Sequence, residues 1–252
     1  IWKMPNLPFK IYCMHLHPEA TRKLINHNEE HIKSSDFIKD IVIGMSDGLT
    51  VPFALAAGLS GAVANSSLVI TAGIAEIAAG SFAMGLGGYL AGRAEIDHYS
   101  AEQKREFYEV ENLRDTEIAE TEEIFEQMGL SAATVKAAAN ELAQDKDKWV
   151  QFMMKYELDL ETPDPKRARN SAFTIGASYI VGGIIPLSPY FFTEHPHDGL
   201  MYSVIVTLIS LFIFGYYKSK LTGQPLFKGA LKVMAIGAIA ASAAFGIAKL
   251  FE

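Results

Sequence analysis

The chain is 252 residues long and carries 29 Asp and Glu against 22 Lys and Arg, a formal charge of −7. An acidic balance argues against nucleic-acid partners, which reward basic patches. The single cysteine, Cys13, excludes an intrachain disulfide framework and fits a thiol-reducing compartment.

Five apolar runs, 38–60, 68–92, 171–192, 200–217 and 229–248, alternate with charged segments. Each is about 18–25 residues long, enough to cross a hydrocarbon core of roughly 30 Å. Five helices of that length lie far outside the ordinary range for a soluble core. The expected fold is an all-α membrane protein with five transmembrane helices per protomer and a three-helix cytosolic insert between spans two and three. Residues 1–35 form an N-terminal segment of unassigned role, 36–92 hold spans one and two, 93–165 the helical insert, and 166–252 spans three to five. No leading apolar segment with a small-residue cleavage site is visible, so no signal peptide is expected.

Residues 1–17 match no motif. His27, Glu29, Glu30 and His31 lie close together, a pattern better explained by a solvated amphipathic helix than by a metal site. Asp36, after two serines and before an apolar run, reads as a helix start. Asp36, Asp40 and Asp47 are offset by four and seven residues and share a helix face. Asp47 lies about two turns inside the span. A carboxylate at that depth is costly unless paired, wetted or bound to a cation. Pro52 follows, removing a backbone hydrogen bond and predicting a kink.

Span two is rich in Gly, Ala and Ser. Gly88 with Gly92, and Ser81 with Gly85, make small-xxx-small pairs that permit close helix contact. Glu76 is the acid in this run, and Met84 lies eight residues on, on roughly the same face. Met84 reads equally as core filler or as a soft ligand beside the acid.

From Ile70 to Phe125 no Pro, and after Gly92 no Gly, stops a helix. One rod is therefore expected to cross the membrane and continue into water. Between Arg93 and Asn170 stand 19 acids and 11 Lys and Arg. On the rod, Glu106, Glu109, Glu117 and Glu120 are spaced 3, 8 and 3 and fall within an arc of about 80°, with Glu102 on the same arc. Like charges on one face repel. A divalent cation would relieve that cost, and a solvated acidic face would tolerate it; spacing alone does not choose. Ser131 opens a second, Ala-rich helix and Asp147 is expected to cap a third. There Met153 and Glu157 lie one turn apart, with Met154 adjacent. Carboxylates with one thioether favour a borderline transition ion over Ca²⁺ or Mg²⁺.

The later spans carry no acid in their interiors, and Pro186 and Pro189 end span three. His195 and His197 lie in a polar loop with no assigned role. Lys33, Lys39, Arg93, the KRAR run at 166–169, and Lys218, Lys220 and Lys228 all fall at one end of the spans. By the positive-inside rule that end is cytosolic. The N-terminus and insert are then cytosolic and the C-terminus lies across the membrane.

With DIVIGMSDGLTVPFALAAGLSGA, then IAEIAAGSFAMGLGGYLAGRAE, then the glutamate-rich insert, the chain resembles the vacuolar iron transporter family over about residues 36–250. The resemblance implies a multi-pass homodimer in the vacuolar membrane that exchanges cytosolic Fe²⁺ for protons, an antiporter and not an enzyme. It implies a translocation path of Asp47, Glu76 and Met84 between protomers. It also implies a cytosolic metal site of Glu106, Glu109, Glu117, Glu120, Met153 and Glu157; position in the sequence alone adds Asp40, Glu102 and Met154 as further candidates. Fe²⁺ is the expected substrate, with Mn²⁺, Zn²⁺ and Co²⁺ as further ions and no organic cofactor. Partners are the bilayer, metal ions, protons and a second copy, without nucleic acid. Two rivals belong to other classes. A membrane-attached di-iron oxidase needs two Glu-x-x-His motifs, of which Glu95–His98 supplies one near the insert. A membrane-tethered metal buffer or sensor would bind the ion without moving it.

Overall fold

The computed structural model describes residues 35–250, with side chains for 36–247. The expectations placed on residues 1–17 and on His27, Glu29, Glu30 and His31 lie outside the described residues. Eight α-helices follow in order: α1 (Ser35–Ala62), α2 (Ser66–Asn112), α3 (Arg114–Gln127), α4 (Ala132–Leu142), α5 (Lys146–Tyr156), α6 (Arg167–Leu187), α7 (Pro196–Leu221) and α8 (Leu226–Leu250). A 3₁₀ turn, Ser188–Phe192, prolongs α6. Helices α1, α2, α6 with its 3₁₀ extension, α7 and α8 are long and apolar enough to cross a membrane, and each contains one of the apolar runs.

Small residues set how closely the spans approach. Ser81, Gly85, Gly88 and Gly92 are buried along one stripe of α2, and that stripe packs on α6. At Gly92 an added Cβ would stand 2.6 Å from the Cα of Ala168. The small-xxx-small pairs therefore seat α6 within the same chain. Helix α1 packs on α6 from another side: a Cβ at Gly48 would stand 2.4 Å from the Tyr179 carbonyl oxygen. Pro52 lies inside α1 without ending it. Its missing N–H leaves the Gly48 carbonyl without the usual helical donor. At the end away from the insert, Asn65 caps α2 by accepting from the Ser67 N–H at 2.8 Å. There the Ser66 N–H donates to the Glu194 carbonyl at 3.3 Å, tying two interspan loops together.

The single rod expected from Ile70 to Phe125 is broken. Helix α2 ends at Asn112, and Leu113 takes φ −122° and ψ 34° before α3 starts. The break leaves little backbone bare. The Leu113 N–H still reaches the Glu109 carbonyl at 2.7 Å, and the Leu113 carbonyl accepts from Thr116 and Glu117 at 2.9 and 3.1 Å. Arg114 supplies the pull: it donates to the Ala143 carbonyl at 2.7 Å and lies 5.1 Å from the Trp149 ring centre. Tertiary contacts of α3 thus outweigh helix continuation, and the insert comprises the far end of α2 plus three short helices.

A second correction concerns the cap of α5. Asp145, not Asp147, holds that position, accepting from the Lys148 N–H at 3.2 Å. Asp147 lies in the first turn, where its charge suits the helix dipole but its side chain is past the capping position. Ser131 does precede α4. The insert core gathers Val110, Ala143, Trp149, Val150, Met153 and Met154.

Candidate metal centre

Eleven residues separate Glu106 from Glu117, about 16 Å along an unbroken helix. The turn at Leu113 removes that separation. Glu106 from α2, Glu117 from α3 and Glu157 at the end of α5 bring carboxylate oxygens within 4.8 Å of one another. Glu106 and Glu117 are only 2% and 3% exposed, and Glu157 is exposed. One oxygen of each buried carboxylate, Oε2 in both cases, has no hydrogen-bond partner. Burying an acceptor without a donor is costly, more so when it is charged.

The cluster holds protons tightly. Burial first, then the charges of Glu157, Glu117 and Glu109, pushes Glu106 up to about 7. Burial, then Glu120 and Glu157, pushes Glu117 up to about 7 as well. Glu157, though exposed as a residue, is raised by the partial desolvation of its carboxyl and then by Glu120 and Glu109. Glu109 therefore lies within electrostatic reach of all three converging groups, and Glu120 within reach of Glu117 and Glu157. Arg105 stands at the rim, bonding Glu109 at 3.1 Å and reaching Glu102 at 3.5 Å. At this site near neutrality either protons or a cation must offset the negative charge.

Behind the carboxylates lies a dry wall. Thr121 is fully buried. Its hydroxyl bonds the Glu117 carbonyl at 2.7 Å, lies 3.4 Å from the Met153 sulfur and accepts from Trp149 Nε1 at 2.8 Å. Met153 is thus fixed beside the Glu117 turn. Met154 is turned into the apolar core.

The membrane carboxylates converge on α6. Tyr179 donates a hydrogen bond to Glu76 Oε1, while Glu76 Oε2 is buried without a partner. Asp47 lies within electrostatic reach of the same tyrosine, and Gly48 and Gly80 both back onto it. Met84 is half-buried further along α2. Asp40 is only 3% exposed and is engaged by Arg167 through two bonds, at 2.7 and 3.4 Å; Asp36 and Glu95 flank the same guanidinium at 3.9 and 3.7 Å. His195 and His197 are exposed at the start of α7.

Four partners carry no mark in the sequence that sets them apart. Tyr179 carries no local signal beyond a hydroxyl in an apolar run. Thr121 and Trp149 read as ordinary helix residues. Arg167 stands in a basic run that orients the spans, and its partner Asp40 lies 127 positions away.

Fold and site together define a polytopic helical membrane protein with acids both inside its spans and clustered in a large insert. Residues 38–249 match the VIT family, and the chain belongs to it. It is 50% identical over 243 residues to vacuolar iron transporter 1 of Arabidopsis thaliana, covering 96% of this chain and 97% of that protein. It is 52% identical over 234 residues to vacuolar iron transporter 1 of Eucalyptus grandis, covering 93% and 94%. Protein CCC1 of Saccharomyces cerevisiae is 42% identical over 225 residues, covering 84% of this chain and 68% of that protein. The Arabidopsis alignment leaves few residues outside it, so the likeness reaches into the first 35 residues, further than the motifs alone indicated.

Proposed function

We propose that the chain moves Fe²⁺ from the cytosol into the vacuole in exchange for protons, working as a homodimer in the vacuolar membrane. The observation that carries this reading is a pair of carboxylate stations, one in the α2 span and one where the far end of α2 meets α3. Glu76 in the span, and Glu106 with Glu117 beyond it, keep buried oxygens without donors. The names of the relatives, vacuolar iron transporters among them, support the cargo and agree with a transporter rather than an enzyme. In this reading the insert is cytosolic and Glu106, Glu109, Glu117, Glu120, Met153 and Glu157 collect the ion, their summed field raising its local concentration. The ion then passes Asp47, Glu76 and Met84. Protonation on the acidic luminal side weakens its hold, because the ligands must be deprotonated to bind. Mn²⁺ suits the same ligands and is a second cargo.

The test is metal uptake into proteoliposomes, with and without an imposed pH gradient, for Fe²⁺, Mn²⁺, Zn²⁺ and Co²⁺. Fe²⁺ uptake is expected to rise with an acidic lumen and to vanish in Asp47→Ala, while that variant still binds metal at the insert. Gradient-independent uptake would remove the proton coupling; normal uptake in the variant would remove Asp47 from the path. Metal binding with no flux from the wild-type chain would favour the buffer.

A further inference from the structure

The turn between α7 and α8 holds a cavity that transport, as proposed, does not use. Lys218, Lys220, Lys228 and Lys232 fall in a stretch that contains no Asp or Glu from Lys218 to Lys232. Three of them, Lys218, Lys228 and Lys232, line a single cavity of about 430 Å³ together with Thr222 and Gln224. Val233 and Ile236 form its apolar side. Among the described residues, none of these three lysines has an ion-pair partner.

Placement near a span end accounts for lysines in general, but not for their convergence. Cations sharing a concavity repel one another. Lys228 also stands in the first turn of α8, the end where a helix dipole disfavours positive charge. Nor are the ammonium groups needed to cap α7. The Lys218 and Ser219 carbonyls already accept from the Thr222 and Gln224 N–H groups at 3.0 and 2.9 Å, helped by the left-handed φ of 67° at Gly223. The arrangement gathers positive charge around one cavity with no carboxylate beside it and becomes favourable around a ligand of high negative charge.

We propose that this cavity binds a multiply phosphorylated inositol headgroup, either on a lipid of the bilayer or free in water. Phosphomonoesters carry the charge density that three ammonium groups match as point charges, and basic pockets between membrane helices are suited to such headgroups. Two crossings, α6 and α7, separate this turn from the insert and place both on the same side. Lys228, Lys232 and Ile236 follow one another at intervals of four on α8, so the cation row leads onto apolar surface, where an acyl chain can follow a headgroup. The proposal does not depend on which ion the protein carries.

The experiment uses the full chain, purified in detergent. Native mass spectrometry reads retention of phosphatidylinositol bisphosphate against phosphatidylinositol and phosphatidylcholine, and calorimetry reads soluble inositol trisphosphate. Wild type is expected to prefer the bisphosphate lipid. The triple variant Lys218→Gln, Lys228→Gln, Lys232→Gln should weaken it on the order of a hundredfold, from the usual contribution of each lysine near a phosphate-bearing surface. The matching Lys→Arg triple should restore binding, which separates charge loss from misfolding. Lys104→Gln, Lys136→Gln, Lys155→Gln, an equal charge change in the insert, should alter it less than about twofold. Binding of the lipid alone identifies a membrane ligand, and equal binding of inositol trisphosphate a soluble one. Binding unchanged in the α7–α8 triple, lost equally in both Gln triples, or blind to phosphate number overturns the proposal.

Discussion

Glu106 and Glu117 are acids that the metal-free fold prefers protonated. Each sits near 7 in the fold, against an ordinary value of 4.5. Between those values the unfolded chain has shed protons that the folded chain retains. Stability of the metal-free insert therefore falls as pH rises from the lower value through the upper, and is flat beyond. A bound cation reverses the slope, because it needs the carboxylates bare. The metal-free protein is expected to melt lower at about pH 8 than at about pH 5.5, and Mn²⁺ is expected to raise the melting temperature more at the higher pH. Glu106→Gln should flatten the metal-free slope and blunt the Mn²⁺ effect. Fluorescence of Trp149, which is fully buried in the insert, reports the transition; a metal-free protein more stable at the higher pH would contradict the placement of these protons. The helical offsets of the glutamates were legible in the sequence, but not the contact of Glu106 with Glu117. That contact needs the turn at Leu113, a residue of ordinary helical character whose departure is forced by Arg114 finding Ala143 and Trp149. The Tyr179 bond to Glu76 was likewise hidden, since it joins residues 103 positions apart.

Among elements, the spans were the most legible, because hydrocarbon thickness imposes a length that sequence must display. Their seams were legible in part. Glycine and serine spacing on α2 announced a close contact, and nothing in that spacing said that α6 would fill it. Gly48 and Gly87 separate the two meanings of a glycine in a span. A Cβ at Gly48 meets backbone, the Tyr179 carbonyl at 2.4 Å, whereas a Cβ at Gly87 meets nothing within 4 Å. Backbone cannot swing aside as a side chain can, so Gly48→Ala must push α1 off α6. A loss of about 1–3 kcal/mol is expected, the usual cost of overpacking. Gly87→Ala should be neutral or gain about 0.5–1 kcal/mol from helix propensity. Thermal unfolding of the two variants in detergent checks the contrast, and equal melting temperatures would mean that α1 and α6 are not in the contact described.

At the scale of the molecule, α2 is one lever with a carboxylate station near each end, Glu76 and Glu106 lying thirty residues apart, about 45 Å along the helix. No direct electrostatic coupling survives that distance in salt water; in the proposed route, where the ion is collected at the insert and then crosses the span, the two stations act in series and their loss should look different. A collecting site raises the ion concentration at the entrance, and saturating metal makes it redundant. A path site is crossed by every ion whatever the supply. Glu106→Ala with Glu117→Ala is therefore expected to raise the apparent KM for Fe²⁺ uptake about tenfold with the maximal rate nearly kept, the pattern of lost uniform binding. Asp47→Ala should abolish uptake at every Fe²⁺ concentration, saturating metal included. Initial rates of Fe²⁺ uptake into proteoliposomes, measured from limiting to saturating metal, separate the two. If the insert variant instead loses maximal rate as completely as Asp47→Ala does, the insert is an obligatory part of the path, and the ion must pass through the carboxylate cluster before it can enter the membrane.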